Sequence, residues 1–483
     1  MKKLDEILES INVLNDIQIS DQDVTGIHID SRECTIGSMF IAYKGVHQDG
    51  HDYISSAISN GAKFIIIDNK QFVDAKATCI LVSDARDVVS KIAANYYEHP
   101  TESMTVVGVT GTNGKTTTTN LLHDLFFRLN FNCGLISTIE VKFGDTAIPS
   151  KLTTPDAISL HRLFREMKDA GITHVFMEAS SHAIHQGRVD DVHFDHVVFT
   201  NITHDHLDYH ETFLEYIKAK KLLFDKLPQD ATALINIDDA NGTVMVQNSS
   251  AEVHTYALRR PSNFKGKIIS NDLSGLHMDM AGTEVFLKIV GRFNAYNALA
   301  TYGTATILGI DAQDVLRELS MVTTAEGRFD IIRSEKVGYT AVVDYAHTPD
   351  ALENVLKTLV ELKLTNSRIL TVVGCGGDRD KAKRPIMAKV AARYSSVLVL
   401  TSDNPRSENP EEILDDMYAG LDKENLDGVL RISNRKEAIR TVSMMAAKGD
   451  TILIAGKGHE KYQEIKGKKI PFDDKKIIQH LMM

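Results

Sequence analysis

The sequence predicts a three-domain α/β protein whose sheets are largely parallel, and three observations predict it. Apolar, β-branched runs alternate with helical stretches along the whole chain, at 64–68, 105–109, 174–177, 197–199, 233–236, 340–343, 369–373, 397–400 and 451–455. At 483 residues the chain is longer than one hydrophobic core normally serves. Its 43% hydrophobic and 25% charged content is that of an ordinary globular protein.

Two breaks divide the chain. A helix-like stretch over 85–98 stops at His99-Pro100 and a strand begins at Thr105, which puts a boundary near residue 100. A Gly-Arg turn ahead of the strand at 339–343 puts another near 329–334. The expected units are an N-terminal α/β domain over 1–100, a central parallel-sheet domain with a phosphate loop over 101–331, and a Rossmann-like C-terminal domain over 332–483.

Composition then narrows the function. Lys and Arg number 54 against 65 Asp and Glu, a net charge of −11, so no global positive field draws nucleic acid or anionic membrane. The four cysteines, Cys34, Cys79, Cys133 and Cys375, form no Cys-x-x-Cys pair, which argues against a disulfide framework or a zinc ribbon. The first ten residues are charged and read as a helix rather than a signal peptide, and no apolar run approaches the roughly 18 residues of a membrane span. A cytoplasmic, soluble protein is expected, with small-molecule partners, no nucleic acid and no membrane embedding.

The strand at 105–109 runs into Thr110-Gly111-Thr112-Asn113-Gly114-Lys115-Thr116-Thr117 and then a helix reaching Leu129. Glycines let backbone N–H groups turn toward phosphate oxygens, and the helix N-terminus adds partial positive charge. Lys115 is placed for the β and γ phosphates of a nucleotide and the Thr116 hydroxyl for Mg²⁺. A strict G-x-x-x-x-G-K-[ST] motif would need glycine where Val109 stands. The glycines are Gly108, Gly111 and Gly114, so the loop is a variant.

Two further strands end in polar clusters, Glu178-Ala179-Ser180-Ser181-His182 and Asn201-Ile202-Thr203-His204-Asp205-His206-Leu207-Asp208-Tyr209-His210. A carboxylate and a histidine at adjacent strand ends suit a Mg²⁺ site beside a phosphate loop. A dizinc hydrolase of the H-x-H-x-D-H type would need histidine at Tyr209.

In the C-terminal third, three strands end in Gly374-Cys375-Gly376-Gly377-Asp378-Arg379, in Asp403-Asn404-Pro405-Arg406 and in Gly456-Lys457-Gly458-His459-Glu460. A dinucleotide fingerprint would need glycine at Arg379. Arg379 and Arg406 can each bind a carboxylate bidentately, while Asp403 and Glu460 can hold ammonium groups. A ligand with two carboxylates and two amines satisfies all four; lysine has no distal carboxylate for Arg406.

These motifs together resemble the Mur ligase family, and within it the MurE type. The resemblance runs from about residue 30 to 460 and also takes in Tyr216-x-x-x-Lys220, Gly291-x-Phe293-Asn294-x-x-Asn297, Gly327-Arg328 and Asp344-Tyr345-Ala346-His347-Thr348-Pro349. It implies an ATP-driven ligase that activates a carboxylate as an acyl phosphate and joins it to an amino acid. The implied substrates are a UDP-MurNAc-dipeptide, meso-diaminopimelate and ATP, with Mg²⁺ as cofactor and a monomeric state. By the same resemblance Thr116 and Glu178 would hold one Mg²⁺, and His206 with a carbamylated Lys220 a second. Gly111, Thr112, Asn113, Gly114, Lys115, Thr116 and Thr117 would cradle the phosphates, Asn297 and Arg328 would contact the nucleotide, and Asp344 the ribose. Ile29, Ser31, His47 and Gln48 would face the uridine diphosphate, and Thr153, Thr154, Ser180, Gln186 and Arg188 the muramoyl-dipeptide. Arg379, Asp403, Asn404, Pro405, Arg406, Gly456 and Glu460 would read the incoming amino acid. The competing expectations are the same ligase adding L-lysine, a folylpolyglutamate-synthetase-like ligase, and an ATP-binding switch that joins nothing.

Overall fold

A computed structural model describes residues 1–17, 22–45, 48–334, 336–364, 366–422 and 427–483. Near the N-terminus four short parallel strands lie in the order Ile27–His28, Met39–Ile41, Phe64–Ile67, Thr78–Leu81. Phe64, Ile65, Ile66 and Ile67 are all buried, because helices cover both faces of the sheet. The helix expected over 85–98 is confined to Val89–Tyr96; His99 takes a left-handed conformation (φ 44°) ahead of Pro100 and ends the unit.

The central sheet has eleven strands among the described residues. Its middle is parallel, in the order Cys133–Ile136, His174–Glu178, Thr105–Thr110, His196–Phe199, Thr232–Asn236, Glu252–Ala257. Helices Lys115–Arg128 and Arg292–Ile307 pack on one face, and Ala157–Asp169 and Phe213–Asp225 on the other. Both edges depart from the expected parallel pattern. Glu140–Phe143 and Thr146–Pro149 form an antiparallel hairpin, and Phe264–Asp272, Gly275–Met280 and Thr283–Leu287 an antiparallel meander. The turns between these strands are two residues long, too short for the crossover that parallel pairing demands.

The C-terminal sheet runs Asp330–Arg333, Thr340–Asp344, Thr451–Ala455, Ile369–Val373, Val397–Leu400, Val429–Arg431, parallel except for its first strand. The boundary expected at 331/332 falls inside Asp330–Arg333, which pairs with Thr340–Asp344, so the division belongs ahead of residue 330. The Gly-Arg turn that suggested the boundary is the connection into that strand. No described helix is long and apolar enough to cross a membrane.

Candidate active site

The phosphate loop lies between the strand Thr105–Thr110 and the helix Lys115–Arg128. It is held by the end of the neighbouring strand. Asn113 N–H donates to Asn201 Oδ1 (3.0 Å), and Asn113 O accepts from Thr200 Oγ1 (2.7 Å) and Asn201 Nδ2 (3.0 Å). Thr112 N–H donates to Asn201 O (2.8 Å), and the Thr112 hydroxyl meets Tyr216 Oη at 3.0 Å. Gly111 (φ 151°) has no room for a side chain, since a Cβ there would stand 1.9 Å from Thr200 Oγ1. Thr117 is buried at the helix start. Asn297, from the first turns of Arg292–Ile307, lies beneath Gly114 and accepts from Thr118 Oγ1 (3.4 Å).

Two lysines converge on this loop with backbone oxygens as their hydrogen-bond acceptors. Lys115 Nζ donates to Gly111 O (2.8 Å) and Thr112 O (3.0 Å), and Lys220 Nζ to Gly111 O (3.0 Å). Lys220 is 1% exposed and sits 4.7 Å over the Tyr216 ring. Burial, reinforced by the Lys115 charge, holds the Lys220 amine well below the usual lysine range, with Asp205 opposing. Lys115 is lowered for the same first reason, against the carboxylates of Glu178 and Asp205.

Glu178 is fully buried at its strand end, its two oxygens accepting from Thr138 N–H (2.7 Å) and Thr138 Oγ1 (3.1 Å). Thr138 continues to Thr153 Oγ1 (3.2 Å), and Thr154 Oγ1 donates to Glu178 O (2.7 Å) and to Ser180 Oγ (3.3 Å). Arg188 closes the group, donating to Thr154 O (3.1 Å) and Gln186 Oε1 (2.9 Å). Thr153, Thr154, Ser180, Gln186 and Arg188 thus come together beside Glu178, on the side where the Tyr43 phenol of the N-terminal unit feels the Arg188 charge.

His206 takes a left-handed conformation (φ 54°), stands 3.4 Å from Asp205, and packs its ring 4.8 Å from His182 and 6.1 Å from Tyr216. Desolvation lowers its pKa, Asp205 opposing and Lys115 and Lys220 assisting. Among the described residues no three His, Cys, Asp or Glu side chains form a ready-made metal cluster. The donors do suit Mg²⁺, which favours oxygen and takes part of its coordination from waters and bound phosphates. Glu178 offers a buried carboxylate and Thr116 a hydroxyl. His206 supplies nitrogen, and Lys220 becomes an oxygen donor only if modified.

From the C-terminal side Arg328 reaches in, Nη2 donating to Thr116 Oγ1 (3.0 Å) with the guanidinium 4.6 Å over the Tyr345 ring. Asp344 is buried and accepts from Phe329 N–H (2.6 Å) and Ala346 N–H (2.7 Å), so both oxygens already shape the turn that carries Arg328. Asp350, which no sequence motif singled out, accepts from Asn113 Nδ2 (2.7 Å) and Thr203 Oγ1 (3.1 Å) across the two sheets.

At the ends of the C-terminal strands, Asn404 Nδ2 donates to Glu460 Oε2 (2.8 Å), and Lys457 Nζ donates to Asn404 Oδ1 (2.9 Å) and Glu460 Oε2 (2.8 Å). Asp403 stands 3.7 Å from Lys457 Nζ and presses on Gly456. Arg406 (φ 50°) donates to Gly377 O (2.6 Å) and lies 3.6 Å from Glu464. Gly376 separates the two arginines: a Cβ there would meet Arg406 Nη1 at 2.9 Å and Arg379 Cγ at 3.7 Å. Arg379 is exposed, at the rim of an open depression of about 480 Å³ lined also by Asp378, Asp380, Lys381 and Glu408. Pro405 O abuts Gly377 and locks the two turns together.

Of the N-terminal set, Ser31 is buried in a short 3₁₀ turn capped by Asp30, Ile29 packs on the core, and Gln48 is exposed. His47 lies outside the described residues.

Known proteins resemble this chain along most of its length. The Mur ligase family's catalytic domain matches residues 23–97, its middle domain 109–305 and its glutamate ligase domain 327–458. A UDP-N-acetylmuramoyl-L-alanyl-D-glutamate--2,6-diaminopimelate ligase of Cytophaga hutchinsonii is 49% identical over 483 residues, 99% of both chains. One of the same name from Phocaeicola vulgatus is 49% identical over 480 residues, again 99% of both. A solved structure of a ligase of that name superposes with a TM-score of 0.71 at 32% identity, covering 100% of this chain and 98% of its own. With the family's three domains matched in chain order on the sheets and loops described above, the chain belongs to the Mur ligase family.

Proposed function

We propose that this chain is the ATP-dependent ligase that adds meso-diaminopimelate to the D-glutamate γ-carboxylate of UDP-MurNAc-L-Ala-D-Glu, in the cytoplasmic synthesis of peptidoglycan precursor. The observation that carries the reading is Arg328 reaching Thr116 at the phosphate loop while the same C-terminal unit carries the Asp403–Arg406 and Lys457–Glu460 turns. Docking one unit on the other thereby links a phosphate site to an amino-acid site. The identity to curated diaminopimelate ligases supports the choice of substrate.

In the reaction, an oxygen of the γ-carboxylate attacks the γ-phosphorus of ATP and ADP leaves, giving an acyl phosphate. The amine of diaminopimelate, having lost its proton, attacks the acyl carbon, and the tetrahedral intermediate expels phosphate to leave the amide. Lys115 and Arg328 offset charge on the transferring phosphoryl group, a mainly electrostatic task. Mg²⁺, held by Thr116 and Glu178 with His206 and Lys220 at a second position, would neutralise phosphate charge. Burial, which holds the Lys220 amine well below the usual lysine range, favours the deprotonated form that adds CO₂, with loss of a proton, to become a carbamate. Gly111–Thr117 would cradle the phosphates with Asn297 beneath, and Asp344 would serve the ribose by way of the turn it braces. Arg188 and its neighbours would orient the dipeptide carboxylates, with Ile29, Ser31, His47 and Gln48 toward the uridine end. Arg379, Asp403, Asn404, Pro405, Arg406, Gly456 and Glu460 would form the amino-acid site. The enzyme is expected to act as a monomer on small molecules.

The test is phosphate release from ATP with UDP-MurNAc-L-Ala-D-Glu present, comparing meso-diaminopimelate with L-lysine. Release with diaminopimelate alone supports the whole reading. Release with lysine keeps the ligase and removes Arg406 as the reader of a distal carboxylate; release with neither sinks the assignment.

A further inference from the structure

We propose that Lys457 sets the selectivity of the C-terminal site, its ammonium cancelling one of the two acids there and fixing the Asn404 carboxamide. The site is then less biased toward a lone ammonium than two unpaired acids would be, and so better suited to a chain end bearing both an ammonium and a carboxylate. The inference rests on the reading of these turns as the amino-acid site.

Lys457 is 0% exposed, in the turn that follows the strand Thr451–Ala455. A buried ammonium must be matched by acceptors, and this one is matched by the groups that chemistry would otherwise give to a substrate amine. Its Nζ is 2.8 Å from Glu460 Oε2, 2.9 Å from Asn404 Oδ1 and 3.7 Å from Asp403 Oδ1. Asn404 Oδ1 also accepts from Glu464 N–H (2.9 Å), so two donors fix which end of the amide faces them. The Asn404 NH₂ must then point to Glu460, as it does at 2.8 Å. Lysine, asparagine and glutamate form one closed loop of donors and acceptors.

Charge completes the argument. Asp403 and Glu460 carry two negative charges and Lys457 one positive, leaving one net negative charge at the floor. Arg435, the buried cation next to these acids, is matched by its own bidentate partner Asp474 (2.9 and 2.7 Å). Arg406 faces Glu464 at 3.6 Å. The distal end of diaminopimelate sums to zero, whereas that of lysine is a single cation. Removing Lys457 makes the floor more negative by one charge, in a place where little water screens it, and so favours lysine relative to diaminopimelate.

The experiment uses the full chain with Lys457→Met and Lys457→Gln, measuring kcat/KM for diaminopimelate and for L-lysine by phosphate release. Glutamine keeps an N–H donor for Asn404 and removes the charge, so it reads the charge effect even where the methionine variant folds poorly. The expected result in both variants is a fall of about tenfold or more in the diaminopimelate-to-lysine ratio, through the amino-acid KM, with the ATP KM unchanged. An unchanged ratio, or losses equal for both amino acids, would show a merely structural lysine and overturn the proposal. A wild-type enzyme that uses neither amino acid overturns the underlying reading of the site instead, which separates the two failures.

Discussion

Two fully buried lysines, Lys220 in the central unit and Lys457 in the C-terminal one, illustrate opposite uses of a cation. Lys457 is surrounded by Glu460, Asp403 and the Asn404 carbonyl. Lys220 meets one backbone oxygen and an aromatic ring, with Lys115 nearby raising the cost of its charge. A cation already matched is part of the scaffold. One left under-matched, next to a phosphate loop, is a place where negative charge is expected to arrive.

Methionine at each position should separate the two, with opposite signs of stability change. Lys220→Met should lower the rate by roughly 10³-fold or more while stabilising the fold by about 0.5–2 kcal/mol, read by phosphate release and urea unfolding. Lys457→Met should destabilise by about 3–5 kcal/mol, because it strands buried acceptors. Equal signs would break the contrast. The pH dependence follows from the same asymmetry. Below the usual lysine value of 10.5 the unfolded chain binds a proton at Lys220 that the folded chain holds weakly. Stability therefore rises with pH through that window. Lys220→Met should remove this alkaline slope.

A smaller effect is expected where the proposed amino-acid site would meet its ligand directly. Arg406→Ala should raise the diaminopimelate KM by an amount worth roughly 2–4 kcal/mol, from a lost charge-assisted pair. An unchanged KM would leave Arg406 with only its bond to Gly377 and its place beside Glu464. Smallest is the bridge between the units. Asp350→Ala removes the acceptor for Asn113 and Thr203, at about 0.5–1.5 kcal/mol per hydrogen bond, and should raise the ATP KM a few-fold. An ATP KM that does not move would show that this bridge has no part in nucleotide binding.

Much of this was legible in the sequence because its signals are local. Buried parallel strands read as unbroken apolar runs, so Ile369–Val373, Val397–Leu400 and Thr451–Ala455 fall where the pattern put them. The phosphate loop is a contiguous strand, turn and helix. Strand direction is not local, however, and the antiparallel meander over 264–287 went unread. Nor are partners brought from a distance: Asn201 is 88 residues from Asn113, and Asp350 is 237. Lys457 was visible only as one letter of a glycine-rich turn, since nothing in its spacing shows that it faces Asn404.

The lacing of Thr112 and Asn113 to Thr200 and Asn201 has a consequence for how quickly and tightly a nucleotide is taken up. Fixing a backbone residue sacrifices about 1–2 kcal/mol of disorder, so these two residues, left unlaced, would lose about 2–4 kcal/mol at the moment of capture. Here that disorder is surrendered when the chain folds, against a strand end that is already rigid. The arriving phosphate therefore meets a loop already in shape, and association is expected to be limited by encounter rather than by the loop's search for shape.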